Sequence, residues 1–442
     1  MALVERAYGE DLVPRVALVV EGNDVTGDIS RLISTVEFES AVDLSDELRI
    51  SVINQGFGFT SGDLPPDLVS HKVFQPGNEV DVFMGYGGEA SLKFIGRAIL
   101  ARHLPQFPAD GVPMLEILGH DKAFFLMNME GEITGGAETR VRAAVEDPTN
   151  EKKEDSGQVY VEKQHHEIVR EIAKKWGLHP NIDPITSAKT FEPGEGLVQP
   201  KGMSDYEFLR ILATLNNFEF WIDWDRDLRR WVCNWKRIPE RYNIKPELVF
   251  KYNEGDESTL LEIELDYGIR DTITDVHVLA WSEDYHSWVS TVLVENAMGP
   301  DPKWRKGTGR ASRRTQAEGT EDPEEGAGAS EEVLMDAITS STKFRMAAGG
   351  VSIDVIAGRP FGGLAEAANW ATEWFRQRKD HFVMARGKTV GCELLQKRQV
   401  HELQGLGPRL SGAYYFHAVR HKMDLGGGLA YETEFIANKV LV

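Results

Sequence analysis

The C-terminal stretch of the chain carries the clearest information about its fold. Residues 405–442 read GLGPRLSGAYYFHAVRHKMDLGGGLAYETEFIANKVLV, two runs of alternating residues on either side of three glycines, Gly426, Gly427 and Gly428. Glycine tolerates the positive φ angles of a turn, so the pattern predicts a long β-hairpin. The inward face is predicted to carry Tyr414, Phe416, Ala418, Tyr431, Thr433 and Phe435. Glu432 and Glu434 face outward, and nothing in the hairpin forms a cluster of titratable groups.

The N-terminal region repeats this period of two. From about residue 15 to 128, apolar side chains alternate with polar ones in several short runs, separated by turn residues such as Gly85-Tyr86-Gly87-Gly88. This pattern predicts an antiparallel barrel or a strongly curved sheet. The apolar positions are Val16, Leu18, Val20, Val36, Phe38, Leu48, Ile50, Val52, Val80, Val82, Met84, Leu115, Ile117 and Leu118.

The central region has a different rhythm. Residues 129–160 are polar and predict an entry loop, and helices are predicted near residues 164–177 and 204–216. Gly177 is placed to end the first helix, and Ser204 with Glu207 has capping-box spacing at the start of the second. A tryptophan-rich hairpin follows at residues 218–235.

A second β-rich region begins near residue 248 and is interrupted by a polar segment. Six basic residues and then seven acidic residues lie among glycine, alanine and serine in this segment, which predicts a flexible insertion. A helix is predicted at about 364–378. The predicted fold class is α+β, mainly β. It comprises a β-barrel domain at 1–128, an inserted α-α-β-β domain at 129–247, a second, related barrel at 248–300 with 345–442, and the insertion at 301–344.

Composition narrows the function classes. The chain has 442 residues, 41% of them hydrophobic, and a formal net charge of −21, which disfavours a general electrostatic footprint for nucleic acid or anionic membrane. No apolar run approaches a membrane span and the N-terminus lacks a signal-peptide pattern, so we expect synthesis in the cytoplasm and no membrane span. Cys233 and Cys392 are predicted to be buried apolar residues.

The sequence offers weak candidates for chemistry, and each has a plainer interpretation. His165, His166 and Glu167 lack metal-site spacing with His179 and are predicted to form a solvated helix turn. His120 and Asp121 follow a strand without a nucleophile motif. The glycines of 85–88, 349–350 and 362–363 lack the features of a phosphate cradle. We therefore predict no catalytic residue, no cofactor and no metal.

Two other candidate sites lie on the central hairpin. Asp223 and Asp225 have the residue type of a glycosidase pair but are predicted to be solvated acids at a turn. The four tryptophans form either a sugar-stacking platform or a cover for the preceding helices, and packing is the favoured interpretation. They are Trp221, Trp224, Trp231 and Trp235.

The order of these segments resembles the phage late control D family, the baseplate hub proteins of contractile tails, and is similar to the hub part of the type VI secretion protein VgrG. The motifs that carry the resemblance are GYGG at 85–88, FIGR at 94–97, IVREIAKKWGL at 168–178, SDYEFLRILATLNNFEFWID at 204–223, LSGAYYFHAVRH at 410–421 and YETEF at 431–435. Their specificity lies in their order, across about residues 12–128, 160–300 and 345–442.

The resemblance implies a structural role without catalytic residues. It implies a homotrimer of duplicated barrels that adapts a hexameric tail tube to a trimeric spike and forms part of the channel for tape measure and DNA. The implied partners are the tail tube or a tube-initiator protein, a separate spike protein, the tape measure protein and inner baseplate proteins, with no specific nucleic-acid sequence. The implied location is the tail baseplate of a virion. The alternatives are a baseplate-associated peptidoglycan-degrading enzyme and a carbohydrate-binding protein.

Limited proteolysis should cut residues 301–344 first. A segment with this composition buries too little apolar surface to order its backbone, so a protease can reach it. Mass spectrometry of the first stable fragments measures the cut sites. First cuts within residues 160–250 would contradict the domain prediction.

Overall fold

The protein is described by a computed structural model. The described residues are 13–25, 27, 32–42, 44–54, 72–110, 112–128, 158–185, 196–200, 202–216, 218–237, 244–253, 255, 258–267, 275–282, 287–294, 353–357, 383–408, 410–426 and 430–440. For 275–282, 287–294 and 353–357 the backbone alone is described. The predicted loop at 129–157, the insertion at 301–344, the helix at 364–378 and the glycines at 349–350 and 362–363 lie outside these residues.

Thirteen strands form one large sheet. They are β1 (Pro14–Val20), β2 (Asn23–Asp24), β3 (Ile33–Ala41), β4 (Glu47–Ile53), β5 (Glu79–Tyr86), β6 (Lys93–Gln106), β7 (Met114–His120), β13 (Val249–Lys251), β14 (Leu260–Tyr267), β18 (Val383–Val390), β19 (Val400–Gln404), β20 (Gly412–Asp424) and β21 (Ala430–Lys439).

The remaining elements form smaller units. The helices are α1 (Lys122–Asn128), α2 (His165–Lys175) and α3 (Asp205–Leu215), and the other strands are β8 (Gln158–Val161), β9 (His179–Ile182), β10 (Gly196–Gln199), β11 (Phe218–Asp225), β12 (Arg230–Arg237), β15 (Asp275–Ser282), β16 (Ser287–Val294) and β17 (Ile353–Ala357). The fold is α+β and mainly β. No helix in the described part of the chain is long and apolar enough to cross a membrane.

The large sheet joins the two ends of the chain. Its strand order is β14-β18-β21-β20-β3-β4-β7-β6-β5-β1-β2, with β19 beside β20 and β13 beside β19. The link is the antiparallel pairing of β20 with β3, which runs from Ala418 opposite Ala41 to Asp424 opposite Thr35. The C-terminal hairpin therefore extends the N-terminal sheet directly.

Two sets of four strands within this sheet share one arrangement. The two sets are β3-β4-β7-β6 and β14-β18-β21-β20, written in their order across the sheet. In both sets this spatial order corresponds to the first, second, fourth and third strand along the chain, and all neighbours are antiparallel. A strand order of this kind repeated in two halves of a chain indicates an internal duplication.

Two β-bulges recur at matching places in these sets. The first strand of each set has an extra residue, Ser34 in β3 and Leu261 in β14. The third strand of each set also has one, Ala101 in β6 and His417 in β20. The bulges are in register across the sheet. In each set, the residue five positions after the bulge of the first strand connects, through directly paired residues on the two strands between, to the residue two positions before the bulge of the third strand. These paired residues are Glu39-Glu47-His120-Ile99 in the first set and Asp266-Met384-Asn438-Tyr415 in the second.

The three largest hydrophobic clusters of the described residues each lie under a different part of the fold. The first lies under β1–β7 and also receives Met423 and Tyr431 from the C-terminal hairpin. The second contains α1, α2, α3, β11 and β12, with Trp235 fully buried in it. The third lies under β14, β18, β20 and β21 and includes Phe250, Phe416 and Phe435. The terminal hairpin thus contributes to two clusters.

The helices of the central unit begin and end through specific contacts. The side chain of Ser204 accepts a hydrogen bond from the Glu207 N–H at 3.1 Å at the start of α3. At the start of α2, the Gln164 N–H donates to Glu167 Oε2 at 2.8 Å. Gly177 adopts φ 65° just after α2, where residues with a Cβ are disfavoured.

The structure differs from the sequence expectations in four places. Residues 122–128 form a helix instead of continuing the strand rhythm, because Ala123 and Leu126 pack into the second cluster. The predicted loop up to 160 ends in a strand, β8, which pairs with β10. The turn of the central hairpin lies at 226–229, since Asp225 still belongs to β11.

The fourth difference lies in the terminal hairpin. The bulge at His417 exchanges the two faces of β20, so Val419 is buried where the alternation predicted Ala418. Tyr414 and Tyr415 are both buried, because Tyr415 packs with Val42 and Val400 on the opposite side.

Gly96 tests the packing of the first cluster. A Cβ added at Gly96 would overlap the ring of Phe38, whose side chain is buried. We expect Gly96→Ala to destabilise the protein by about 1–3 kcal/mol through overpacking, measured as a lower midpoint of thermal unfolding. Gly88→Ala is the matched control, since no atom lies within 4 Å of its added Cβ. Equal midpoints for the two variants would contradict this packing.

Candidate interaction surface

The outer face of the joined sheet carries a band of charged side chains. This charged face crosses the β20–β3 link and extends onto β4, β7, β14, β18 and β21. Its acids are Glu37, Glu39, Glu47, Glu116, Glu262, Glu264, Glu432 and Glu434. Its bases are Arg49, Arg386, Lys388, Arg420 and Lys422.

Ion pairs run across the strands at the link between the two ends of the chain. Arg420 Nε of β20 lies 2.9 Å from Glu39 Oε2 of β3, and Arg420 Nη1 lies 3.3 Å from Glu434 Oε2 of β21. Lys422 Nζ lies 3.0 Å from Glu37 Oε1. Burial alone would lower the pKa of Arg420, but the hydrogen bond and charge of Glu39 raise it.

Similar pairs continue on both sides of the link. Lys388 Nζ of β18 lies 2.7 Å from Glu432 Oε2 and 3.6 Å from Glu434 Oε1. The hydrogen bond from Lys388 to Glu432 raises the pKa of Lys388. Because these side chains are partly exposed, each pair contributes at most about 1 kcal/mol. Their main effect is to fix the register and the charge pattern of the face.

The charge pattern defines what this face can do. Eight acids stand against five bases, and the bases are interleaved with acids. A groove of about 310 Å³ on the face is lined by Glu262, Glu264, Arg386 and Arg420 among others. A surface of this kind repels polyanions weakly and holds no basic cluster for a phosphate group.

A second feature, the buried ionic cluster, comprises Lys397, Asp46 and Asp121, with the more exposed Asp223 at its edge. Lys397 Nζ, in the loop before β19, lies 2.5 Å from Asp46 Oδ1 and 3.8 Å from Asp223 Oδ1 of β11. Asp121 is also buried, and its Oδ1 accepts the Phe124 N–H at 3.3 Å at the start of α1. Lys397 Nζ therefore contacts Asp46 and, at longer range, Asp223, and its positive charge also acts on Asp121.

The carboxyl groups of this cluster have perturbed pKa values. Burial raises the pKa of Asp121 well above its usual range, and the charge of Asp46 raises it further. Burial also raises the pKa of Asp46, although the positive charge of Lys397 opposes that shift. With Lys397 as the one cation, the two shielded carboxyl groups, Asp46 and Asp121, form a neutral set with it when one of them holds a proton, and the larger rise in the pKa of Asp121 favours the proton there.

Arg398 extends the same junction to the central hairpin. Its Nη2 donates to the Val42 carbonyl oxygen at 3.1 Å, and its Nε lies 3.7 Å from Glu219 Oε2. Its guanidinium carbon lies 4.5 Å from the centre of the Trp221 ring, within the range of a cation–π contact. Arg398, in the loop before β19, thus connects the residue that follows β3 to β11.

The candidate histidines have structural contacts. His165 Nδ1 lies 2.8 Å from Asn216 Nδ2, which links α2 to the end of α3. Glu167 caps α2, and His179 lies on β9 beside β12. His120 stacks on Phe124, with ring centres 4.0 Å apart. Among the residues that the structure describes, no group of three or more His, Cys, Asp or Glu side chains is placed to hold a metal ion.

The central hairpin places its acids and tryptophans in packing roles. Asp225 Oδ1 accepts the N–H groups of Asp227 and Leu228, so it closes the turn, whereas Asp223 faces Lys397. Trp231 and Trp235 are buried in the second hydrophobic cluster. The Arg97 guanidinium covers the Trp224 ring at 3.5 Å, and Arg398 covers Trp221.

The glycines and cysteines also have structural roles. Gly85 lies within β5 and Gly87 adopts φ 82° in the turn, while the Tyr86 hydroxyl donates to the Gly391 carbonyl oxygen at 3.2 Å. Cys233 is buried, and burial raises the pKa of its thiol to about 12. Cys392 is intermediate in exposure. These environments disfavour thiolate chemistry at either cysteine.

Comparison with known proteins shows which class of fold this is. No protein-family model and no curated protein sequence matches the chain. Among solved structures, it is similar to the tail protein from Neisseria meningitidis MC58, with a TM-score of 0.57 and 10% identity over 97% of each chain. It is also similar to the 43 kDa tail protein of prophage MuSo2 from Shewanella oneidensis, with a TM-score of 0.57 and 9% identity over 97% of this chain and 98% of that one.

Both similarities extend over 97% of this chain. The chain therefore has the fold of phage tail proteins, and the fold implied by the sequence resemblance is confirmed. At this level of identity the likeness establishes the fold alone.

The buried cluster gives a prediction with a defined sign. Because the pKa of Asp121 is raised in the folded protein, its contribution to stability is present below the usual aspartate pKa of about 3.9 and is lost as pH rises towards the raised value. Asp121→Asn keeps the oxygen that caps α1 and cannot ionise. We expect this variant to match the wild type near pH 4 and to be more stable than it at pH 8, measured by thermal unfolding.

Lys397→Met provides the contrasting change. It leaves the mostly buried Asp46 carboxylate without its cation, which should cost about 3–5 kcal/mol at neutral pH and less at acid pH, because the raised pKa of Asp46 favours its neutral form there. If both variants shifted stability equally at every pH, the cluster would not titrate as described.

Proposed function

We propose that the chain is a structural baseplate hub of a contractile tail. It acts as a homotrimer that adapts a hexameric tail tube to a trimeric spike and forms part of the channel for tape measure and DNA. The observation that carries this proposal is the duplicated four-strand arrangement within one continuous sheet, on a chain whose fold is that of phage tail proteins.

Symmetry gives the duplication its purpose. A trimer of chains that each hold two equivalent sheets presents six similar units in a ring, and a six-subunit tube can meet each unit with the same surface. The matching bulge positions support this equivalence beyond the strand order alone. On this basis the two β-barrel domains, residues 1–128 and 248–300 with 345–442, lie side by side around one axis.

The charged face is the wall that we assign to the channel. It is the face of the continuous sheet that lies opposite the hydrophobic clusters, and it crosses both units without interruption. Its excess of acids and the chain's net charge of −21 keep phosphate groups from binding as DNA passes.

The partners follow from this position. The tail tube or a tube-initiator protein lies above the ring, a separate spike protein lies below it, the tape measure protein occupies the channel, and inner baseplate proteins surround the hub. The protein is made in the host cytoplasm and acts in the tail baseplate of the virion. It has no enzymatic role in this assembly.

The two rival functions have less support from the described residues. A peptidoglycan-degrading enzyme needs two carboxyl groups that face a substrate across a cleft, whereas Asp223 and Asp225 bind Lys397 and the hairpin turn. A carbohydrate-binding platform needs open aromatic faces. Trp231 and Trp235 are buried, and arginines cover Trp221 and Trp224.

Electron microscopy of the purified protein should show threefold rings with an open centre. Size-exclusion chromatography with light scattering gives the mass of the particle, and class averages give its symmetry. A peptidoglycan zymogram on the same sample should stay blank. A monomer, or a ring of another symmetry, would contradict the hub function.

Charge reversal on the wall tests the channel. We expect Glu37→Lys, Glu262→Lys and Glu432→Lys together to make the ring bind duplex DNA, with log K falling linearly with the logarithm of salt concentration. The control carries the same charge change on the central unit, at exposed Glu162, Glu171 and Asp227, and should bind no more DNA than the wild type. Equal DNA binding by both variants would count against the charged face as the channel wall.

A further inference from the structure

Two strand edges of the large sheet lack a partner within the described residues. After its bulge at Ala101, β6 pairs with β7 through residues 102–106, and no described strand lies on its other side. The two sets of four strands form a continuous row from β6 to β14, and at its other end β14 pairs with β18 alone among the described strands. Unpaired edges of this kind offer rows of backbone donors and acceptors to another strand.

The internal duplication shows how such edges are used within the chain. In the second set, β20 pairs with β19 before its bulge at His417 and with β3 after it. In the first set, the corresponding edge of β6 pairs with β5 before its bulge and with no described strand after it, while the other edge pairs with β7 on both sides of the bulge. β6 is the equivalent of β20, and β14 is the equivalent of β3. The contact that β20 makes with β3 therefore has an unfilled counterpart between β6 and β14.

We propose that β14 of one copy of this chain pairs antiparallel with residues 102–106 of β6 in a second copy, and so repeats between chains the β20–β3 contact. This inference rests on the homotrimer of the proposed function and specifies the strands that join its subunits. Each copy carries one edge of each kind, so the contact runs from head to tail and three copies close a ring.

The duplication also gives the register of the contact. Within the chain, Arg420 lies opposite Glu39 and Lys422 lies opposite Glu37. Counted from the matching bulges, Arg420 corresponds to Leu104 and Glu39 corresponds to Asp266, so Leu104 would lie opposite Asp266 of the second copy. The same count converts the second pair to Gln106 opposite Glu264, and Met423 opposite Val36 becomes Phe107 opposite Ile263.

The side chains at these positions suit an interface between copies. Phe107 is 70% exposed in the single chain, whereas its equivalent, Met423, is fully buried. Pairing would cover Phe107 with the half-buried Ile263 and Leu265 of the second copy. Beside the charged face, the exposed Arg102 would lie diagonal to Asp266 of the second copy, a distance that long side chains span.

Pro105 adds selectivity to this edge. Proline has no N–H to donate to a strand ladder and is tolerated in edge strands. Its presence in residues 102–106 discourages pairing with arbitrary strands. The apolar and ionic contacts of Phe107 and Arg102 then favour the β14 edge over others.

Cysteine pairs test the register directly. Residues opposite each other in antiparallel strands have Cα atoms about 4.5–5.5 Å apart, within the range of a disulfide. The variant Leu104→Cys with Asp266→Cys should therefore form disulfide-linked trimers on mild oxidation, seen on a non-reducing gel. The control, Leu104→Cys with Glu262→Cys, shifts one cysteine by four residues, about 13 Å along the strand, and should not link. The single-cysteine variants report any reaction of Cys233 and Cys392.

Each outcome decides a defined point. A particle that is trimeric by light scattering but stays unlinked overturns the edge pairing and leaves the homotrimer standing. A monomer that stays unlinked overturns both. A ladder of linked species beyond the trimer supports the pairing and overturns ring closure by three copies.

A second variant depends on no disulfide. Phe107 is exposed in the single chain, so Phe107→Glu should leave folding unchanged and weaken subunit association at least tenfold, measured by light scattering over a dilution series. Leu228→Glu, at the exposed turn of the central hairpin, is the matched control and should leave association unchanged. Equal association of the two variants would overturn the role of Phe107.

Discussion

The pairing of β20 with β3 is the contact on which the rest of the structure depends. It joins residues about 380 positions apart in the chain, and Arg420 holds it from the outer side through Glu39. On the inner side, Met423 and Tyr431 of the same hairpin complete the first hydrophobic cluster. Neither β unit buries its apolar surface fully without the other, so the two units have a fixed relative position. That fixed position is what a symmetric ring requires of each subunit.

The buried ionic cluster extends this constraint to the central unit. Lys397 approaches Asp46 from the N-terminal sheet and Asp223 from the central hairpin, while Arg398 contacts both regions. Buried ion pairs contribute little net stability compared with apolar packing, because desolvation offsets their attraction. They do, however, penalise any arrangement that leaves a charge unpaired. The cluster therefore specifies where the central unit docks more than it strengthens the docking.

The sequence predicted the local features of the fold well and the long-range ones poorly. Period-two alternation located the strands, and residues such as Ser204 and Gly177 marked helix ends, because these signals depend on near neighbours. The bulge at His417 was not predictable from alternation, so Ala418 and Val419 were assigned to the wrong faces. α1 was missed because seven residues are too few for a clear helical period. The partner of a strand is also absent from a periodic pattern, and so the β20–β3 link appeared only in the structure.

For the candidate surface, too, the sequence showed the local pattern of charges but not the long-range pairing. The alternating acids of β3 and β21 and the bases of β20 are visible in the sequence, but nothing in the sequence says that Arg420 meets Glu39. Likewise, Asp46 and Lys397 stand 351 positions apart and carry no common motif. His120 and Asp121 were weak sequence candidates for a catalytic base. In the structure Asp121 belongs to the buried ionic cluster, and burial explains its raised pKa.

The bulges explain why one strand can serve two neighbours. A bulge bends its strand and increases the local twist, so the residues before and after it face different partners. β20 pairs with β19 before its bulge and with β3 after it, and β6 has its bulge at the equivalent position, after its pairing with β5 ends. The two bulges thus mark the positions at which each four-strand set can pair with a strand outside the set. Because the two bulges lie at matched positions, the pairing of β20 with β3 inside the chain and the pairing that we propose at β6 should have the same curvature.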